Sequence, residues 1–255
     1  MSQKKKQAYT EDKIKTLSSL EHIRLRTGMY IGRTGSGAHY DDGIYILVKE
    51  VIDNGIDEFI MGHGERINVS IEEDMVTIRD FGRGIPLGKV VDCVSKINTG
   101  AKYNDDVFQF SVGLNGVGTK AVNALSTYFL VRSHREGEFV EAEFEGGNLV
   151  REEKGETDEP NGTLVSFSPD PAIFKKFAFN PEHLARRLRF YAYLNAKLKI
   201  WFNGELFHCK GGLLDLIADE SQFEKIYPPF HVEDPTLEFA FTHTNRFSEE
   251  YYSFV

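Results

Sequence analysis

Glu50, Asn54 and Asp57 recur at helical intervals in a segment whose apolar residues Leu47, Val48, Val51, Ile52, Ile56 and Phe59 keep the same period. An advance of about 100° per residue puts the three polar residues on one face, opposite Val48, Val51 and Ile52. Asn54 offers a neutral carbonyl oxygen of the kind magnesium accepts, and Glu50, one turn earlier, can orient and deprotonate a water. Taken alone, the spacing favours an acidic face turned to solvent. A second constellation is Asp80-Phe81-Gly82-Arg83-Gly84-Ile85-Pro86. Here a carboxylate at a strand end is followed by glycines that admit a ligand close to the backbone. A buried carboxylate accepts a hydrogen bond from an exocyclic amino group such as that of adenine, and would be left unpaired against the carbonyl of guanine, at about 1 to 3 kcal/mol. By itself this segment also reads as a tight turn with a capping Asp. A third is Gly113-Leu114-Asn115-Gly116-Val117-Gly118, where a loop meets the start of a helix and successive N–H groups can surround phosphate oxygens, with Lys102 as an added cation.

Three look-alikes are set aside. Asp80-Phe81-Gly82 spells a kinase motif, but no His-Arg-Asp catalytic loop precedes it. Residues 116–121 fit a loose dinucleotide fingerprint, yet a hairpin turn at Glu136-Gly137 occupies the place of the required acidic residue. No GxxxxGK followed by Ser or Thr occurs, which excludes a P-loop.

The elements that must position these residues are set by periodicity. Residues 12–25 carry short helical spacing, Gly28 breaks it, and residues 32–37 form a loop before the helix that starts at Ile44. Strands are expected at 66–71 and 74–79, joined by a turn at 72–74, with the second delivering the chain to Asp80. Residues 98–118 read as a long loop, 119–125 as a helix, and 128–132, 139–144 and 163–167 as strands. A helix over 181–195 has Pro181 in its first turn, and a strand over 197–202 turns at Asn203-Gly204. Beyond Gly211-Gly212, a helix and strand-like runs at 237–242 and 251–255 look like the start of another unit, so the chain reads as a fragment.

Composition sets the outer bounds. At 255 residues with 41% hydrophobic and 27% charged residues, the chain matches a folded globular protein. No apolar run approaches the roughly 20 residues of a spanning helix, and the polar start has no secretory core, which places the protein in the cytoplasm, off the membrane. Two cysteines, Cys93 and Cys209, make neither a disulfide framework nor a metal site. A net charge of -9 excludes a nonspecific DNA sleeve, leaving only local basic groups at residues 4–6, at Arg24, Arg26 and Arg33, and at Arg186, Arg187 and Arg189.

In order, Glu50-Val51-Ile52-Asp53-Asn54, Asp80-Phe81-Gly82-Arg83-Gly84, residues 113–118 and Asn161-Gly162-Thr163 resemble the four motifs of the GHKL ATPases. Residues 26–32, 121–126 and 135–137 narrow the resemblance to the group of type II DNA topoisomerase ATPase subunits that contains gyrase B and ParE, over nearly the whole chain. The resemblance implies an α/β two-layer sandwich, one mixed and mostly antiparallel sheet with helices on one face. The ATP-binding domain would span residues 1–220, with 1–12 as a dimerisation arm, and 221–255 would begin a truncated α/β transducer domain.

It further implies ATP and magnesium as ligands, with Glu50 as the base that activates water and Asn54 as the magnesium ligand. Asp80 would accept the adenine amino group and Thr163 would share a water with it. Arg83, paired to Glu58, would line the base pocket with Gly84, Ile85 and Pro86. Lys102 with Gly113, Leu114, Asn115, Gly116, Val117, Gly118 and Thr119 would form a lid on the phosphates, and Tyr9 would reach the nucleotide of the partner copy in an ATP-dependent homodimer. Arg135 and Thr163 match positions that touch competitive ATP-site inhibitors. The full assembly would add DNA and a breakage-reunion subunit of the gyrase A or ParC type, in supercoiling or in relaxation and decatenation. Thr27, Phe81, Val112 and Asn115 depart from the usual residues, and the phosphate-contacting transducer lysine lies beyond this chain, so hydrolysis by the fragment should be weak. A chaperone or MutL-type clamp of the same superfamily, and a nucleotide-regulated module without turnover, stay open as alternatives. Between gyrase B and ParE, residues 51–54 and 109–111 lean towards ParE.

Overall fold

The computed structural model describes residues 16–100, 116–221 and 223–254. The arm at 1–12 with Tyr9, and Lys102, Gly113, Leu114 and Asn115, lie outside them.

Ser18 accepts a hydrogen bond from the Glu21 N–H while the Glu21 carboxylate accepts one from the Ser18 N–H, a reciprocal cap that starts α1 (Ser19–Leu25) later than the apolar spacing suggests. Gly28 opens the one-turn α2 (Gly28–Ile31) rather than ending a helix. The longest helix, α3 (Gly43–Ile60), buries Ile44, Leu47, Val48, Val51, Ile52 and Ile56. Its burial lies against a sheet built from β1 (Arg66–Glu72), β2 (Met75–Asp80), β3 (Ser126–Arg135), β4 (Glu138–Glu145), β5 (Asn148–Glu156), β6 (Gly162–Pro169), β7 (Lys199–Phe202) and β8 (Glu205–Phe207). Their order is β5-β4-β3-β6-β2-β1-β7-β8, with β1 and β7 parallel and the other neighbours antiparallel. Four hairpins turn through left-handed residues: Glu73 (φ 58°), Glu136 with Gly137 (57° and 86°), Gly146 with Gly147 (55° and 88°), and Asn203 with Gly204 (47° and 89°).

Cross-strand register shows which face is covered. Ile78, Val165, Val131 and Ala142 form one buried row across β2, β6, β3 and β4, and Val76, Phe167, Phe129 and Phe144 form the next. Onto these rows pack α3, α4 (Val90–Ser95), α5 (Gly118–Ala124) and, at the β7 end, α7 (Pro181–Leu194), in one core that also takes Phe174 of α6 (Pro171–Phe174). The opposite face is polar: Thr77 pairs with Ser166 at 2.9 Å, and Arg151 bridges Glu141, Glu143 and Glu153. This is the two-layer α/β sandwich, mixed and mostly antiparallel with helices on one face.

Two elements lack a sequence signal. The edge strand β5 is exposed along nearly its whole length, so no apolar alternation marks it. The short α4 comes after a 3-10 turn at Leu87–Lys89. The expected strand at 251–255 does not form over its described residues. Tyr252 and Phe254 instead place their rings 6.0 and 5.6 Å from that of Phe190 on α7, which holds the segment by aromatic packing. Before it, α8 (Leu213–Glu220) contacts a separate hairpin of β9 (Phe230–Asp234) and β10 (Leu237–Phe241). Among the described residues no helix is long and apolar enough to cross a membrane.

Covering only one face predicts an asymmetric cost of mutation. Phe167→Ala should destabilise by about 3 to 5 kcal/mol, and Thr77→Ala, one strand over on the open face, by about 1 kcal/mol or less. Denaturant titration reads both, and equal losses would mean that both faces are buried.

Candidate functional site

Gly55 lets α3 lie against the end of β2: a Cβ there would sit 2.9 Å from Ile67 Cδ1 and 3.1 Å from the Asp80 Cβ. Asp80 is thereby enclosed, 9% exposed. Its Oδ1 accepts the N–H of Gly82 at 2.9 Å and that of Thr163 at 3.2 Å, while no described residue donates to Oδ2. Burial pushes the carboxyl up to about 6, against the pull of those two bonds and of the Arg79 charge. An acceptor oxygen is thus presented inside an apolar site, held from its other oxygen.

The turn after Asp80 is built around Glu58 of α3. Arg83 grips that carboxylate with Nε at 3.0 Å and Nη2 at 2.9 Å, and its own N–H donates to Oε2 at 2.9 Å. Burial raises the Glu58 pKa, but the Arg83 bonds and charge outweigh it and hold the carboxyl below its ordinary value. Gly84 runs at φ 78° with its Cβ position 2.5 Å from the His134 carbonyl, a place closed to any side chain. The end of β3 fixes the path of this turn: the Ser133 hydroxyl donates to the Ile85 carbonyl at 2.7 Å and Arg135 Nη1 to the Gly84 carbonyl at 3.4 Å. Pro86 leads into the 3-10 turn.

Farther back along α3, Asn54 Nδ2 donates to the Glu50 carbonyl at 2.8 Å and to Thr119 Oγ1 at 3.1 Å. With the amide nitrogen turned that way, Oδ1 is the atom a cation would use. The Glu50 carboxylate lies against the start of α5, where a Cβ on Gly118 would fall 2.0 Å from Oε2. Glu50 lines a cleft there with Met29, Tyr30, Val117, Gly118 and Ala121. The three-residue polar face expected from the sequence is split, because Asp57 is completely buried while Glu50 and Asn54 are half-buried. Eight residues, about 12 Å at 1.5 Å per residue, separate Glu50 from Glu58.

Thus Glu58, Asp80, Arg83, Gly84, Ile85, Pro86, Arg135 and Thr163 gather at the C-terminal end of α3, and Glu50, Asn54 and Gly116 to Thr119 lie one to two turns back, along its middle. Three supporting residues have no expected role, although Asp53 lies within the first motif. Asp53 accepts hydrogen bonds from Lys49 at 2.5 Å and the Tyr191 hydroxyl at 2.6 Å, tying α3 to α7. Lys120 donates to the carbonyls of Thr99 at 2.6 Å and Gly116 at 2.5 Å. Arg79 donates to the carbonyls of Asp80 and Pro160. For the other two, a lysine within the mostly apolar helix expected at 119–125 is the one sequence signal that could have pointed to either.

The raised Asp80 carboxyl gives a stability prediction with a definite sign. A folded-state pKa of about 6 against 3.8 means that its favourable contribution is complete below about pH 4 and is lost as pH rises through 6. The displacement corresponds to about 3 kcal/mol. Asp80→Asn cannot ionise, so its melting temperature relative to the unmodified chain should climb between pH 4 and 7. A pH-independent difference would remove the buried ionised carboxylate from the account.

Comparison with known proteins gives the same picture. Residues 39–172 match the family model described as histidine kinase-, DNA gyrase B-, and HSP90-like ATPase. The B subunit of DNA topoisomerase 4 from Borreliella burgdorferi is 56% identical over 98% of this chain and 42% of its own length. The B subunit of DNA gyrase from Thermotoga maritima is 37% identical over 97% of this chain and 43% of its own length. The chain therefore spans about two fifths of these curated relatives. Among solved structures, the 43K ATPase domain of Thermus thermophilus gyrase B, in complex with an aminocoumarin, superposes with a TM-score of 0.74 at 32% identity, covering 89% of this chain and 63% of that one. The four spaced motifs, the sandwich that gathers them along α3 and the family match lead to one conclusion: the chain belongs to the histidine kinase-, DNA gyrase B- and HSP90-like ATPase family.

Proposed function

We propose that this chain is the ATP-binding and ATP-hydrolysing region of the B-type ATPase subunit of a type II DNA topoisomerase, and that it takes ATP with magnesium along α3. The observation that carries the reading is Asp80: a buried carboxylate with both backbone donors on Oδ1 leaves Oδ2 for an amino group. Adenine supplies that group and guanine supplies a carbonyl, an exchange that costs about 1 to 3 kcal/mol. Thr163 shares a water with the base, while Arg83, locked by Glu58, lines the pocket with Gly84, Ile85 and Pro86. Glu50 takes the proton from the attacking water. Asn54 Oδ1 would hold magnesium, which would supply positive charge to offset that of the phosphates. The N–H groups of residues 116–119 face the phosphates, joined in this reading by Lys102 and Gly113, Leu114 and Asn115. Tyr9 reaches across to the partner nucleotide in an ATP-dependent homodimer.

In the whole protein, residues 1–220 form the nucleotide domain and 221–255 begin the transducer that carries closure to DNA. Breakage and rejoining of DNA belong to a separate gyrase A or ParC-type subunit, in the cytoplasm. The greater identity to a topoisomerase 4 relative than to a gyrase relative, 56% against 37%, favours the ParE type and hence decatenation. The Thermus domain binds an aminocoumarin. The equivalent surface here, Arg135 with Thr163, is where a competitive inhibitor would bind.

Calorimetry with a nonhydrolysable ATP analogue should show magnesium-dependent binding that Asp80→Asn weakens at least tenfold, about 1.4 kcal/mol. Equal affinity for the GTP analogue would sink the adenine assignment. In the full-length protein, Glu50→Gln should keep nucleotide affinity and lower turnover by about 100-fold or more, and undiminished hydrolysis would remove Glu50 as the base.

A further inference from the structure

Arg79 precedes the base-recognition carboxylate in sequence but, by strand alternation, points to the other side of the sheet. It is a charged side chain only 8% exposed, on the face otherwise left to polar and half-exposed residues. Its guanidinium Nη1 donates to the Asp80 carbonyl at 2.8 Å and Nη2 to the Pro160 carbonyl at 2.6 Å. The fork therefore joins the two segments whose N–H groups, Gly82 and Thr163, hold Asp80 Oδ1. Its space is provided by Gly162, at φ 134°, where a Cβ would lie 2.5 Å from Arg79 Nη1 and 2.3 Å from the Asp80 carbonyl. Phe81 covers it: the Arg79 guanidinium lies 4.9 Å from the centre of that ring, and Arg66 lies 5.1 Å from the same centre.

We propose that Arg79 is a positioning residue for nucleobase recognition: from behind the sheet it clamps the Asp80 and Pro160 carbonyls together and so fixes the two N–H groups that aim the Asp80 carboxylate. This rests on the adenine reading of Asp80. It also gives Phe81 a task, as the ring on which the clamp is stacked. A guanidinium is suited to it where an ammonium is not, because two carbonyls on separate segments need two donors in a fixed fork. Its charge, facing a carboxyl that burial has pushed up, also favours the ionised form that accepts the amino group.

The charged groups around Asp80 are few. Glu58 comes from α3 with Arg83 of the turn paired to it, Arg135 comes from β3 onto the Gly84 carbonyl, and β6 contributes the neutral Gly162 and Thr163. Behind the sheet, Arg79 is neighboured by Arg132, Glu159 and His134, and burial with the charges of both arginines pushes His134 down to about 4. Glu58 is held below its ordinary value and His134 is lowered to about 4, whereas the Asp80 carboxyl is raised to about 6.

The test is binding of the magnesium complex of a nonhydrolysable ATP analogue to the chain from pH 5 to 8, for the unmodified protein, Arg79→Met, Arg79→Lys and Asp80→Asn. Arg79→Met should raise Kd about tenfold at pH 8 and move the pH of half-maximal binding upward. Arg79→Lys, which keeps the charge but not the fork, should weaken binding at pH 8 and leave that midpoint in place. Unmodified affinity and midpoint in Arg79→Met overturn the proposal, as does a midpoint in Arg79→Lys displaced as far as in Arg79→Met. Should Arg79→Met fail to fold, Arg79→Lys decides alone: weaker binding at pH 8 with an unmoved midpoint supports the clamp, and any other result overturns it. Asp80→Asn separates the two readings, since full affinity there defeats the adenine assignment itself, whereas its loss beside indifferent Arg79 variants defeats only the clamp.

Discussion

Everything in the site hangs on keeping an ionisable carboxyl inside the protein without cancelling it. A full ion pair would have stabilised Asp80 and also blocked it. Instead, two backbone N–H groups hold one oxygen, and the nearest full positive charge, Arg79, is applied through the backbone carbonyl side rather than to the carboxylate itself. The cost shows in a pKa of about 6. In the adenine reading, that cost is what would make the site selective, because an acceptor that is poorly solvated and incompletely bonded gains most from a donor of the right shape. Three chain segments, at 80–84, 133–135 and 160–163, converge to produce it, and each needs a neighbour to approach its backbone closely.

Helix α3 then converts one fixed point into a site of the right length. Asp80 is set against Gly55 and Glu58, and Asn54 and Glu50 lie one and two turns nearer the N-terminus of the helix. A rigid helix of 18 residues keeps these distances, provided that it cannot rotate. Its apolar stripe on the sheet resists rotation from below, and the Lys49, Asp53 and Tyr191 cluster resists it from the α7 side. Asp53 is a buried charge with both oxygens engaged, and its neighbour in sequence is the residue that would hold magnesium. Anchoring one side chain thus orients the next.

Much of this is legible in the residues alone. The period of α3, three of the four left-handed hairpin turns and the strand end at Asp80 all arise from local rules that tertiary structure had no reason to override. Residues such as Asp80 and Arg83 stand out because chemistry demands their type and the adjoining glycines demand their place. The hidden features have physical reasons as well. Strand β5 exists only because β4 offers an edge to pair with, and no burial pattern records that. The cap at Ser18 overrides apolar spacing that points further upstream. Arg79 looks like an ordinary solvent-facing strand residue, since alternation says which face a side chain takes and nothing about whether that face is open there. Asp57 lies on the expected helical face and is buried all the same, because a helical period gives the direction of a side chain and not how far the covering layer extends.

Lys120 shows the same logic at the phosphate end. An ammonium 4% exposed must have its hydrogens matched, and two are matched by the carbonyls of Thr99 and Gly116. One side chain thus ties the backbone at Thr99 to that at Gly116. The same lysine sits on the helix whose Thr119 hydroxyl accepts from Asn54 and whose Gly118 abuts Glu50. A displacement of either stem would therefore be felt at the residues that would meet water and metal. Two points along α3 share one design: at each, a buried cation holds carbonyls of two separate segments, Arg79 behind Asp80 and Lys120 on the helix that abuts Glu50 and Asn54.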